Sequence, residues 1–301
     1  MLGLPMMIGT LLKTIRLPFL ILTPVCVFLG LSVVIANKIE VDVYLLILTL
    51  LGAVLAHISV NTLNEYYDFK TGLDFKTKKT PFSGGSGALP QNPEMAVIVL
   101  AVGVLSLICT LIIGIFFVWK LGPGVIPLGV AGLVLVVVYT PWVTKNPYLC
   151  LIGPGFGFGF IMVSGAYFAM TGEHSQLSWL VGIVPFFLVN NLLLINQYPD
   201  IKADRDVGRN NMPIAYGTKI ASLTYGLFVM MTIAAIIFFV FDGILPALSL
   251  IALLPMPLAL FALKGAVKHG AALGNYPQFL GANVIVAVST PALLGVSIIF
   301  G

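Results

Sequence analysis

Nine stretches of this chain stay apolar long enough to cross a bilayer, near residues 17–36, 43–63, 95–118, 123–142, 148–170, 178–198, 219–241, 244–263 and 280–300. A spanning helix needs about 20 such residues. Within lipid a backbone must satisfy its own hydrogen bonds, which leaves helix bundles or closed barrels. The runs are continuous rather than ten-residue alternations, and that selects helices. Only 9% of the residues are charged while 59% are hydrophobic; a soluble domain carries about 25% charged residues. The sequence therefore predicts an all-α, polytopic membrane bundle of nine transmembrane helices, one domain over 1–301. Eight further spans follow the first, with no small-residue cleavage site leading into a soluble body, so it reads as a retained helix. Cys26, Cys109 and Cys150 are in different spans without metal-ligand or disulfide spacing, and read as small buried hydrophobes.

With nine spans the loops alternate sides. All of the 15 basic residues except Lys38 and Lys120 fall on the side of the amino terminus. The positive-inside rule makes that side cytoplasmic, with the amino terminus inside and the carboxyl terminus outside, as expected for a multi-pass protein of the cell's inner membrane. Most acids share that side and gather at two places, whereas Glu40, Asp42, Glu173 and Asp242 are scattered in outer loops as ordinary solvation.

The first gathering, NTLNEYYDFKTGLD at 61–74, ends the second span. Asn61, Asn64, Glu65 and Asp68 follow i, i+3, i+4, i+7 and share one helix face. Gly72 offers a place for the helix to stop and the chain to turn, which would return Asp74 to the same face. The second, NQYPDIKADRDVGRNN at 196–211, ends the sixth span, with Asn196, Asp200 and Asp204 one turn apart and Pro199 loosening the helix between them. Neighbouring carboxylates repel, so one must take a proton unless a cation intervenes. Oxygen-only donors suit Mg²⁺, which prefers carboxylates plus substrate phosphates. Lys70, Lys76, Lys78, Lys79, Arg205 and Arg209 stand nearby in sequence as partners for an anion. Acids for a metal and bases for an anion together point to a bound diphosphate. Asn64 to Asp200 and Asp68 to Asp204 are equally far apart in sequence, with four spans between. That fits a four-helix unit used twice in one orientation with a ninth helix appended.

These residues resemble the UbiA superfamily of intramembrane prenyltransferases. NEYYDFKTGLD is similar to its first aspartate-rich motif and DIKADRDVG to its second; TPFSGGSGALP, VYTPWVTK and GAYFAMTG match elsewhere. Asp-x5-Asp with Gly72 before the last acid resembles the 1,4-dihydroxy-2-naphthoate branch, which makes menaquinone precursors. The chain departs from the pattern in three places: Asn64-Glu65 stands where Asn-Asp is usual, the loop after the first motif has lysines in place of arginines, and LCLIGPGFGFGF lacks an acid that some relatives carry.

The resemblance implies Mg²⁺-dependent transfer of a polyprenyl group from an allylic diphosphate to an aromatic or other lipophilic acceptor, with no nucleic acid partner. It implies metal held by Asn64, Asp68, Asp200 and Asp204, with Glu65, Asp74 and Asn196 as further candidates. Diphosphate would be met by Lys70, Lys78, Lys79, Arg205 and Arg209. Asp68, Asp200, Asp204 and Tyr139 are the expected catalytic residues, and the carbocation would face the ring of Tyr139, Tyr67 or Tyr198. The alternative acceptor is a lipid or glycerol phosphate.

Other features have plainer readings. His57, alone in the second span, reads as packing or a local hydrogen bond. Gly153–Gly159 reads as a small-residue helix contact, SGGSG at 83–87 as a cap over the site or else a flexible turn, and Lys264, Lys268 and His269 as lipid headgroup contacts. A cation-coupled transporter is the rival class. It requires a polar path to the far side, and spans two and six turn apolar beyond Asn61 and Asn190.

Overall fold

The computed structural model describes residues 3–301, and every regular element among them is helical. A helix that sequence reading did not foresee, α1 (Leu4–Thr14), comes before the first span. Its Leu4, Ile8 and Leu12 point outward, while Met7 and Leu11 pack on Leu89, Met95 and Val99. The first span is α2 (Leu22–Ala36), led in by a tight turn at Leu17–Ile21. The second, α3 (Val43–Lys70), runs for 28 residues, well past its apolar part, because its polar end is held by other segments. Then follow α4 (Ala96–Leu121), α5 (Ile126–Val138), α6 (Pro147–Thr171) and α7 (Gln176–Asn196). A short α8 (Ile201–Asp206) precedes α9 (Met212–Phe241), α10 (Met256–His269) and α11 (Pro277–Phe300).

Eight apolar helical stretches are long enough to cross a membrane, and α5 with its lead-in turn is a shorter ninth, Pro123–Val138. All nine expected spans are present. Side chains cap several of the helices: Asp42, Asn146, Ser175 and Asn211 accept hydrogen bonds from the free backbone N–H groups of α3, α6, α7 and α9. Large apolar side chains such as Ile112, Trp119, Leu223 and Phe238 face outward, as a lipid-solvated surface requires. Cys26 and Cys150 are buried as expected, but Cys109 is on this outward surface, since thiol and lipid are compatible.

Small residues set the closest helix contacts. A Cβ added to Gly159 would come 2.5 Å from the Gly182 carbonyl oxygen, and one added to Gly182 would meet the Gly159 oxygen at 2.6 Å. This close α6–α7 approach explains the glycine-rich run. A π-helical turn at Phe156–Met162 follows Pro154, whose missing N–H already interrupts the ladder. A buried polar ring ties the second half together. Asn191 donates to the Tyr225 carbonyl (3.0 Å), the Tyr225 hydroxyl donates to Asn283 (2.8 Å), and Asn283 donates to the Asn191 carbonyl (3.1 Å). The last helix is appended in sequence, but in space α11 packs on α2 and α7 and so closes the bundle.

Candidate active site

The polar end of α3 and the segment after α7 meet on the same side of the bundle. Arg209, between α8 and α9, joins them. Its Nη2 donates to Asp68 Oδ1 and its Nη1 to Asp204 Oδ1, the latter at 3.1 Å. Asn211 donates to the other Asp204 oxygen at 3.0 Å while its own Oδ1 caps α9. Burial alone would lower the Arg209 pKa, but Asp68 and Asp204 more than reverse this and hold it charged.

A second cluster braces the first. Glu65, fully buried, accepts two hydrogen bonds from Arg16 (2.8 and 2.9 Å) and two from Ser86, through its backbone N–H (2.9 Å) and hydroxyl (2.6 Å). Arg16 Nη2 also donates to Asn64 at 3.0 Å, and Asn64 donates to Thr140 at 3.1 Å. Arg16 itself has φ 54°, a left-handed corner between α1 and the turn into α2. Asn61 pins that corner by donating to the Ile15 carbonyl at 2.9 Å.

Gly72 ends α3 with φ 77° and Asp74 turns back, buried, toward the same region. The loop Ser83–Gly87 then runs alongside these acids. Its Gly84 N–H donates to Asp200 Oδ2 at 2.9 Å, and Gly85 is so close that a Cβ there would be 2.5 Å from Asp74 Oδ1. Burial, then the charges of Glu65 and Asp68, push Asp74 up to about 7. Burial, then Asp204, does the same to Asp200, also to about 7.

Behind this cluster opens a cavity of about 800 Å³. Its polar end includes Asn64, Asp68, Asp74, Asp200, Asp204 and Arg209; Asn196 and Arg16 are there too. The rest is apolar, walled by residues such as Phe117, Leu128, Leu135, Phe158 and Ile161, with Tyr139 between the two parts. Other sequence candidates lie elsewhere. Glu65 is behind the wall, held by Arg16 and Ser86. Lys70 is exposed over the Tyr66 ring, two residues from Asp68 and so on the opposite helix face. Lys78 donates to Asn275, Lys79 to the Gly87 carbonyl, and exposed Arg205 reaches toward the Ile214 carbonyl. Tyr67 is outside the lining, and the Tyr198 hydroxyl is bound to Thr218 and Ser222. Arg16 was missed, although it is one of three arginines in the chain and directly precedes the first span.

The donor chemistry fits a hard divalent ion. Asp74 Oδ2, Asp200 Oδ1 and Asn196 Oδ1 are buried oxygens with no hydrogen-bond partner among the described residues, and all three side chains line the polar end. As arranged, with Arg209 between Asp68 and Asp204, no three acids, histidines or cysteines among the described residues stand within reach of one ion. The guanidinium holds the position of a counter-charge to both acids.

Residues 22–272 match the UbiA prenyltransferase family. A 1,4-dihydroxy-2-naphthoate octaprenyltransferase of Bacillus subtilis is 25% identical over 257 residues, 84% of this chain and 78% of that protein. Among solved structures, a UbiA homolog from Archaeoglobus fulgidus bound to DMAPP and Mg²⁺ superposes with a TM-score of 0.67, at 15% identity over 97% of this chain and 99% of that one. A UbiA homolog from Aeropyrum pernix K1 gives 0.69 at 18% identity, over 93% and 98%. Two polar helix ends closing on an otherwise apolar cavity, in a chain matched over most of its length, place this protein in the UbiA prenyltransferase family, and it is a multi-pass membrane prenyltransferase.

Proposed function

We propose that this prenyltransferase moves a polyprenyl group from an allylic diphosphate to an aromatic acceptor, with 1,4-dihydroxy-2-naphthoate the acceptor favoured by the Bacillus relative. The observation that carries the reading is a single cavity that is charged at one end and apolar along the rest. The diphosphate belongs at the charged end, where Arg209 and Arg16 offer planar, two-pronged donors suited to phosphate oxygens. Mg²⁺ would be held there by Asn64, Asp68, Asp200 and Asp204, with Asp74 and Asn196 adjacent. When bound it supplies Lewis-acid neutralisation of the leaving diphosphate. The prenyl tail lies in the apolar part.

Negative charge grows on the leaving group as the allylic C–O bond breaks, and the two arginines stabilise it in a site screened from water. The remaining allylic cation faces Tyr139, whose ring supplies π density. The loop Ser83–Gly87 covers the opening and keeps water from competing for the cation. The acceptor ring attacks C1, a C–C bond forming in place of the broken C–O bond, and the ring proton passes to the departing diphosphate. We place the reaction at the cytoplasmic side of the inner membrane, with the amino terminus inside, from the bias of the basic residues.

The test incubates membranes containing the protein with labelled geranylgeranyl diphosphate and dihydroxynaphthoate, hydroxybenzoate or glycerol phosphate, with Mg²⁺ or with chelator. Prenylated dihydroxynaphthoate, formed only with Mg²⁺ and lost in Asp68→Ala and Asp200→Ala, is the expected result. Transfer that survives those substitutions would overturn the site, and transfer to another acceptor alone would overturn the branch.

A further inference from the structure

One buried titratable side chain at the cavity has no part in the chemistry above. His57 is on α3, two turns from Asn64 toward the apolar part of the cavity, about 10 Å along the helix axis. It lines the cavity although it is only 6% exposed. Its Nδ1 is 2.8 Å from the hydroxyl of Thr23, which is itself fully buried on α2. Its ring meets Phe158 edge to face at 4.9 Å. Both contacts fix the imidazole plane, and Nε2 makes no hydrogen bond to any described residue.

The Thr23 contact also sets the tautomer. Most threonines within the spanning helices, such as Thr49, Thr62, Thr110 and Thr232, return their hydroxyl proton to a carbonyl one turn back. Thr23 makes no such bond, and His57 Nδ1 is its only hydrogen-bond partner among the described residues. The arrangement that satisfies the hydroxyl has it donating to Nδ1, with the ring proton on Nε2. The result is a rigidly aimed N–H donor in a wall whose nearby threonines, Thr49 and Thr110, give their own protons to helix carbonyls. A prenyl tail offers it nothing, and leaving a buried polar group without a partner is costly.

We propose that His57 is the acceptor-positioning residue: its Nε2–H binds a ring oxygen of the aromatic acceptor and, with Thr23 holding the tautomer, selects acceptors that carry an oxygen at that place. This rests on the prenyl-transfer reading and adds where the acceptor sits. Because Nε2 already bears the proton, His57 orients the ring and is not the base that takes the ring proton.

The test measures acceptor KM, donor KM and kcat with geranylgeranyl diphosphate and 1,4-dihydroxy-2-naphthoate, and inhibition by 1-hydroxy- and 4-hydroxy-2-naphthoate. His57→Leu is expected to raise acceptor KM about tenfold with donor KM within twofold of the parent. His57→Gln, whose amide N–H reaches a similar point, is expected to restore most of the affinity. The inhibitor lacking the bound oxygen should bind parent and His57→Leu equally well. Thr23→Val, a near-isosteric change that releases the tautomer, should raise acceptor KM about threefold and serves if His57→Leu fails to assemble. Unchanged acceptor KM in His57→Leu or Thr23→Val, or a change confined to donor KM, would overturn the proposal and return His57 to the wall of the tail site. No transfer by the parent to any acceptor would overturn the prenyl-transfer reading and this one with it.

Discussion

Arg209 shows how a single side chain holds two carboxylates together. Removing it leaves Asp68 and Asp204 facing each other, and breaking a buried ion pair from one side costs about 3–5 kcal/mol. Arg209→Met should therefore lower the melting temperature in detergent markedly without Mg²⁺, and added Mg²⁺ should recover part of the loss. Asp74 and Asp200 have pKa values near 7, above those of an unfolded aspartate. Between about pH 4 and 7 the metal-free folded protein then binds more protons than the unfolded chain, so its stability falls as pH rises through that window. Mg²⁺ should reverse the slope near neutrality, because it takes the proton's place; melting temperatures from pH 5 to 8 would show this. The acids of the site were legible because helical spacing relates residues within one helix. Of the bases only Arg209 was: Lys70, Lys78 and Lys79 are near Asp68 in sequence yet turn away, while Arg16 reaches Glu65 from 49 positions earlier. No periodicity reports a contact of that kind.

At the level of elements, the loop Ser83–Gly87 connects to both polar helix ends, through Gly84 to Asp200 and through Ser86 to Glu65. Gly85 has φ 68° and no room for a methyl beside Asp74. Gly85→Ala should lower kcat/KM about tenfold with little effect on the bundle's melting, since the strain is confined to the loop. Gly159→Val should do the opposite, disrupting α6 against α7 and reducing the amount of folded protein recovered from membranes. The loop's glycines and its position after the first motif made a cap a reasonable expectation. Its hydrogen bond to Asp200 was not foreseeable, because it joins segments 116 residues apart.

For the molecule as a whole, nine apolar runs were enough to fix a helical membrane bundle, since lipid leaves the backbone few options. The prediction at this scale concerns orientation. In a cysteine-free background, Ser83→Cys should react with an impermeant maleimide only from the cytoplasmic face and Gly243→Cys only from the opposite one. Labelling from the wrong sides would invert the topology. Helix length carries a further consequence. With its lead-in turn α5 runs over Pro123–Val138, about 25 Å of helix, beside a hydrocarbon layer near 30 Å. Val130, Val134 and Val137 face outward on it, while Leu128, Gly132 and Val136 line the cavity. A short stave is met by thinning of the surrounding lipid or by flanking side chains that reach to the interface. Bilayer thickness thus bears directly on the wall of the reaction chamber, and acyl chains of different length should tune turnover without touching a single residue.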